Sequence, residues 1–168
     1  MSYELVNAAD ASKVSISSGQ LKALSGTGTV DIRAVTTGND NYLGASAVQT
    51  ITLAKAGQSV SFALPSSLTF DTTTGLGATV AGAGSVSYEL VNAADASKVS
   101  ISGGQLQALS GTGTVQVRAV TAGNDNYSGA AAEQTITLAK AGQSVSFTLP
   151  SNLTFDQVTS LGGGEREL

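Results

Sequence analysis

Two four-residue segments hold the densest group of possible metal ligands in the chain. Asn39-Asp40-Asn41-Tyr42 recurs as Asn124-Asp125-Asn126-Tyr127. Side-chain oxygens of this kind suit Ca²⁺, which takes roughly six to eight oxygen ligands. The spacing of an EF-hand loop is absent, however, and Asn and Asp often form turns by bonding their own backbone. We predict two tight turns and no cofactor, with calcium as the alternative. Its candidate ligands are Asn39, Asp40, Asn41, Asn124, Asp125 and Asn126.

The composition lacks residue types that many other catalytic and metal-binding sites need. The chain contains no His, no Cys and no Trp, which excludes Ser-His and Cys-His nucleophile pairs and the common zinc and copper sites. The segment Gly26-Thr27-Gly28 and its copy precede strands, whereas a phosphate loop needs a helix N-terminus and usually a lysine. No pattern brings two carboxylates together as a glycosidase requires. We therefore predict that the protein is not an enzyme.

The charge and the hydropathy of the sequence argue against further kinds of function and targeting segment. Eight Lys and Arg against twelve Asp and Glu give a formal charge of −4. The sequence therefore lacks the excess of basic residues that is typical of nucleic-acid-binding proteins. No apolar run approaches the roughly 18 residues of a membrane span. The first twenty residues lack a basic region followed by an apolar one, so they do not read as a signal peptide.

The sequence repeats itself with a period of 85 residues. Between residues 2–77 and 87–162, 63 of 76 aligned positions are identical, and no gap is needed. A unit of this length is too long for a solenoid turn and long enough for a small domain with its own core. We call residues 1–55, 56–140 and 141–168 the first, middle and third copies.

Short alternating segments separated by Gly, Asn, Asp and Ser predict an all-β unit. In the middle copy, Gln116 and Arg118 point outward between apolar neighbours, and Asn92–Ala96 is too short for a stable helix, so we predict a loop or a single turn there. The pattern predicts about seven strands, as in an immunoglobulin-like sandwich. The predicted core residues are Phe62, Phe70, Tyr88, Val115, Val117, Tyr127 and Ile136.

The order of these segments resembles a known family. The run from Gly111 to Tyr127, followed by Gln134-Thr-Ile-Thr-Leu138, is similar to bacterial Ig-like repeats of the MBG type. Such modules occur in tandem in large secreted surface proteins and adhesins. The resemblance implies an extracellular or cell-surface location and a stalk or spacer role without catalysis.

The connection Ala54-Lys55-Ala56-Gly57 is too short to run back along a domain, so it should lead into the next one. This predicts one complete Ig-like domain at 56–140. Residues 1–55 then lack their first two strands, and 141–168 supply the opening strands of a third domain plus a frameshifted tail. Two circularly permuted sandwiches at 1–80 and 86–168 are the alternative partition.

Three functions from different classes follow from this organisation. The leading one is a structural spacer whose partners are the neighbouring repeats. The second is a module that binds carbohydrate or protein, for which Tyr42 and Tyr127 are possible stacking platforms; we expect these rings to pack instead. The third is self-assembly by homotypic strand exchange, because residues 141–160 match what the first copy lacks.

Overall fold

The computed structural model describes residues 1–161 and 163–167. Strands hold 48% of the chain and helix only 6%, in several sheets, so the predicted all-β class is confirmed. The strands are β1 (Ser2–Leu5), β2 (Val14–Ser17), β3 (Gln20–Ala23), β4 (Thr29–Thr36), β5 (Ala45–Thr52), β6 (Ser59–Ser61), β7 (Ser67–Thr69), β8 (Thr73–Gly75), β9 (Thr79–Ala81), β10 (Val86–Leu90), β11 (Val99–Ser102), β12 (Gln105–Ala108), β13 (Thr114–Thr121), β14 (Ala130–Ala139), β15 (Gln143–Phe147) and β16 (Gly163–Glu167).

Backbone contacts divide the chain into two compact units. The first contains Met1–Ser61, Ala78–Ser87 and Ala119–Ala132, and the second contains 62–77, 88–118 and the described residues from 133 onward. The first unit holds the sheet β1-β4-β5 and the hairpins β2-β3 and β6-β9, and the second holds the sheet β11-β12-β8 and the hairpin β15-β16. The remaining sheet, in the order β10-β13-β14-β7, includes residues of both units. The partition at 56 and 140 stays a prediction.

Two 3₁₀ helices, Ala8–Ser12 and Ala93–Ser97, follow an asparagine in each case. The Asn92 side chain accepts a hydrogen bond from the Ala94 N–H at 3.1 Å, and the Lys98 N–H closes the turn on the Asp95 carbonyl. This single capped turn lies where the sequence predicted a loop or one turn. An N-cap side chain of this kind satisfies an otherwise unpaired backbone donor.

The apolar positions of the first copy are only partly enclosed. Val14, Val30 and Leu53 are buried, and Leu5 and Ile32 pack against them from the same unit. They come from alternating positions of β1, β2 and β4 and from the end of β5, since successive strand residues point to opposite faces.

Burial is more complete in the second unit. Along β13, Val115 and Val117 are buried while Gln116 and Arg118 reach toward solvent, as the alternation predicted. The buried apolar side chains of this unit are Phe62, Leu68, Leu76, Val99, Leu106, Ala108, Val115, Val117, Ile136 and Leu138.

The predicted core residues do not all lie inside. Phe62, Val115, Val117 and Ile136 are buried, and Tyr88 and Tyr127 are half-buried. Phe70 differs from the prediction, because 45% of its surface is exposed. The strand β7 ends at Thr69, and Asp71 adopts a left-handed φ of 60°, so Phe70 lies in the turn between them and not in the inward row of the strand.

The middle copy has nine strands where alternation predicted about seven. The extra strands lie between residues 59 and 81. Pro65 cannot donate a ladder hydrogen bond, and the turn at Asp71 interrupts the chain again. These residues therefore form the four short strands β6, β7, β8 and β9.

Candidate functional site

The two Asn-Asp-Asn-Tyr segments are turns closed by their first asparagine. The Asn124 Oδ1 accepts from the N–H groups of Asn126 and Tyr127, both at 2.9 Å. In the first copy the Asn39 Oδ1 accepts from the corresponding amides at 3.0 and 2.9 Å. An oxygen that already accepts two N–H bonds has little capacity left for a cation. This geometry favours the turn over the calcium site, and calcium binding stays an untested alternative.

Carboxylates elsewhere have their own partners. Asp95 is buried and bonds the Lys98 ammonium at 2.8 Å, and Asp10 bonds Lys13 at 2.9 Å in the same arrangement. Across the described part of the chain, no group of three or more His, Cys, Asp or Glu side chains is placed to hold a metal ion. The acidic side chains of the two 3₁₀ helices therefore have a structural role as anchors of the turn.

A second feature of the 124–127 turn is a contact with the start of the middle copy. The Ala56 N–H donates to the Asn126 carbonyl at 2.8 Å, and the Ser128 N–H donates to the Ala56 carbonyl at 3.0 Å. Ala56 and Tyr127 form an isolated parallel bridge. Tyr42, the counterpart of Tyr127 in the first copy, is 77% exposed, whereas Tyr127 is half-buried.

The same turn contacts the first copy through Gly26. The Gly26 N–H donates to the Asn126 Oδ1 at 2.9 Å. A Cβ atom on Gly26 would lie 2.6 Å from the Asp125 carbonyl oxygen and 2.8 Å from the Asn126 Cα. Both are backbone atoms that cannot move aside, so only glycine allows this approach. We call the contact between Gly26 and residues 125–126 the joint.

The amino-acid sequence by itself predicts other roles for both partners of the joint. Gly26 was predicted to lie in a β-turn and Asn126 in a turn or a calcium loop. One feature of the sequence pointed toward this contact. The 85-residue repeat places Gly26 in the first copy and Asn126 in the middle copy, on opposite sides of the short connection 54–57. These two residues are 100 positions apart, so their contact could be found only from the arrangement of the strands. The Leu53 N–H donates to the Gly28 carbonyl at 2.8 Å, and from there the chain continues into the middle copy.

The counterpart of Gly26 in the middle copy lies in a different setting. Gly111 lines an open cavity of about 710 Å³, together with Phe70, Asp71, Thr112 and the segment 140–143.

The most connected polar group on the surface is the guanidinium of Arg118. It bonds Glu133 at 2.7 Å and Glu89 at 3.2 Å, and the Gln116 amide donates to the other oxygen of Glu133 at 2.9 Å. The hydrogen bond to Glu133, reinforced by its charge and by Glu89, raises the pKa of Arg118 above its usual value. A guanidinium that stays protonated and paired is a cross-strand clasp and offers no acid or base for catalysis.

Among the described residues, no helix combines the length and apolar character needed to cross a membrane. Comparison with models of known protein families finds no match, and comparison with curated proteins finds none either.

Proposed function

We propose that the chain is a non-catalytic spacer segment, built from tandem Ig-like repeats, of a bacterial cell-surface or secreted adhesin-like protein. The observation that carries the proposal is the joint, where the Gly26 N–H meets the Asn126 Oδ1 at 2.9 Å. A spacer must resist bending at its connections, and a close backbone contact next to a short connection does this.

The repeat itself supports the same role. The first and middle copies close their asparagine turns and 3₁₀ helices with the same hydrogen bonds, within about 0.1 Å of each other. Local structure that is reproduced from copy to copy suits a protein whose length is set by the number of units. The sequence resemblance to MBG-type repeats points to the same role and to a location outside the cell.

The proposal can be tested by measuring how freely the two parts tumble. NMR relaxation of amides in the first and middle copies should give one common rotational correlation time if the joint holds. Asn126→Ala removes the acceptor for Gly26 and should separate the two correlation times. Independent tumbling in the unmodified chain would contradict the spacer proposal.

Asn41→Ala is the matched control, because Asn41 holds the same place in the first-copy turn. Within the described residues, its side chain makes no hydrogen bond of the kind that joins Asn126 to Gly26. The control should therefore leave the correlation times unchanged. A Gly26→Ala variant, which forces backbone apart at 2.6 Å, should act in the same direction as Asn126→Ala.

A further inference from the structure

One face of the first copy is an open apolar groove. It has a volume of about 340 Å³. Tyr3, Leu21 and Ile51 on its walls are each more than 40% exposed. The full lining is Tyr3, Ile16, Gly19, Gln20, Leu21, Ile32, Gln49 and Ile51. Exposed apolar surface gathered in a concave patch marks an interaction site more often than scattered apolar residues do.

The middle copy shows what covers the same face. Leu106 and Ile136, the counterparts of Leu21 and Ile51, have no exposed surface. Phe62, Leu68 and Leu76 supply the cover and are themselves 4–6% exposed. The Phe62 ring lies 5.9 Å from that of Tyr88, the counterpart of Tyr3, and the Tyr88 hydroxyl donates to the Leu76 carbonyl.

Backbone pairing holds this covering segment in place. Strand β7 runs parallel to β14, with Leu68 beside Leu138, and β8 runs antiparallel to β12, with Thr74 opposite Leu106. The turn between β7 and β8 adds bonds from the Phe70 N–H to the Ala139 carbonyl and from the Asp71 N–H to the Ala108 carbonyl. In the first copy, β3 has β2 as its only strand partner among the described residues.

The third copy carries the same covering segment with nothing beneath it. We call residues 147–161 the C-terminal segment. Its apolar side chains are 56–99% exposed, whereas three of their counterparts are buried. These exposed residues are Phe147, Leu149, Leu153, Phe155, Val158 and Leu161.

The C-terminal segment forms the same turn as its covering counterpart. Asp156 has a left-handed φ of 64°, as Asp71 has 60°. The Gln157 N–H bonds the Thr154 carbonyl at 3.1 Å, as the Thr72 N–H bonds that of Thr69 at the same distance. The hairpin β15-β16 also repeats the register of β6-β9, since Ser144 lies opposite residue 166 as Ser59 lies opposite residue 81. Less ordering entropy is lost when a preshaped segment binds.

We propose that the open groove binds the C-terminal segment of a second copy of this chain. The middle copy predicts the register: Leu153 lies beside Leu53 in a parallel pairing, and Thr159 lies opposite Leu21 in an antiparallel one. Phe147, Leu153 and Leu161 fill the positions of Phe62, Leu68 and Leu76. The contact is strand addition to an exposed edge. Because the groove and the segment are formed by different residues of one chain, the contact is head-to-tail and builds filaments or rings.

Sedimentation velocity of the full 168-residue chain over a range of concentrations tests the proposal. The weight-average mass should at least double as concentration rises. Leu153→Asp places a charge where the counterpart Leu68 is 6% exposed, so this variant should stay monomeric. Val158→Asp is the matched control, because its counterpart Thr73 is exposed and a charge there stays in solvent. Both residues are more than half exposed in the free chain, so neither change should disturb the fold.

Mixing two blocked variants sharpens the test. Leu21→Asp spoils the groove and leaves the C-terminal segment intact, while Leu153→Asp does the reverse. Each alone should be monomeric, and an equimolar mixture should form a dimer that grows no further. A mixture that stays monomeric would overturn the proposal, as would a Leu153→Asp variant that assembles as well as Val158→Asp.

Disulfide trapping reads the register directly in this cysteine-free chain. Thr52→Cys and Asn152→Cys, on separate chains, correspond to the adjacent pair Thr137 and Ser67. Neighbouring strands lie about 4.8 Å apart, within the roughly 4.4–6.8 Å between Cα atoms that a disulfide allows. The heterodimer should cross-link under mild oxidation, and Thr50→Cys in place of Thr52→Cys should lower the yield several-fold.

Three results would overturn the inference. One is an unmodified chain that remains monomeric at all concentrations, which includes a chain whose C-terminal segment binds its own groove. Another is equal cross-linking from residues 50 and 52. The last is assembly that tolerates both Asp substitutions, which would point to a different surface. The spacer proposal rests on the joint and is tested by tumbling, so either idea can fail without the other.

Discussion

Leu21 and Leu106 hold the same place in two copies of one sequence, yet their surroundings differ. Leu21 is 41% exposed and Leu106 is fully buried. The neighbouring pair Ile51 and Ile136 shows the same contrast, at 42% and 0%. The residues are the same and their strands differ at only a few positions, whereas only the middle copy has a segment that covers this face. Burial is thus a property of the partner element as much as of the residue.

At other positions, burial is the same with and without the covering segment. Val14 and Val99 are each 1% exposed, and so are Val30 and Val115. The ion pairs of the two 3₁₀ helices agree to within 0.1 Å. In the first copy, Val14 and Val30 are enclosed by elements that lie inside the first 55 residues, so this copy keeps part of its core without the covering segment. Four experiments address where the two copies should diverge and where they should not.

The largest contrast is expected for Leu106→Ala against Leu21→Ala, both in the Leu153→Asp background that keeps the groove empty. Leu106→Ala leaves a cavity and should lower the unfolding free energy by about 2–5 kcal/mol. Leu21→Ala removes a half-exposed side chain and should cost well under half as much. Urea denaturation followed by hydrogen exchange of β12 and β3 amides measures the two effects separately. Equal losses would mean that the groove is already filled.

Asp95→Ala and Asp10→Ala should have the same effect in the two copies. Each removes a buried carboxylate that bonds a lysine at 2.8–2.9 Å, and leaves a partly buried donor without that partner, at a cost of about 1–3 kcal/mol. Hydrogen exchange at Val99 and Val14, next to the two helices, reports the loss. A change confined to one copy would show that the covering segment also influences the Asp–Lys ion pair.

Asn124→Ala and Asn39→Ala test the two asparagine turns. Each removes an acceptor of two backbone N–H bonds and should lower stability by about 1 kcal/mol per bond. Calcium should not change the melting temperature of the unmodified chain, because the Asn39 and Asn124 side-chain oxygens each already accept two N–H bonds. The measurement is a thermal melt with and without Ca²⁺, with EDTA as the reference. A rise in melting temperature with Ca²⁺, abolished by Asp125→Asn, would instead establish the calcium site.

The smallest change is expected for Glu133→Val, which gives the middle copy the residue that the first copy has at Val48. Arg118 loses its shortest partner, but the group is exposed, and exposed pairs contribute little. Melting in low and in high salt should show a small loss of stability that shrinks as salt screens the charges. A loss as large as that of Leu106→Ala would contradict the description of this network as a surface clasp.

Much of the fold could be predicted because alternation is a local signal. The inward row of Val115 and Val117 and the outward row of Gln116 and Arg118 follow from the period-two geometry of strands. The asparagine turns followed from the bonding habits of Asn. Phe70 was misplaced because its position depends on where β7 ends and on the left-handed turn at Asp71. The joint was missed because its partners are 100 residues apart.

By itself, the amino-acid sequence determined the repeat of 85 residues, the all-β class and the residue types that each face offers. Those properties depend on neighbours a few positions apart, and on composition. Only the tertiary structure decided that Leu21 is exposed while Leu106 is buried, that Gly26 contacts Asn126, and that the C-terminal segment keeps the left-handed turn of its buried counterpart. The physical reason is that burial and close approach depend on which distant segment occupies a face, and identical local sequences leave that choice open.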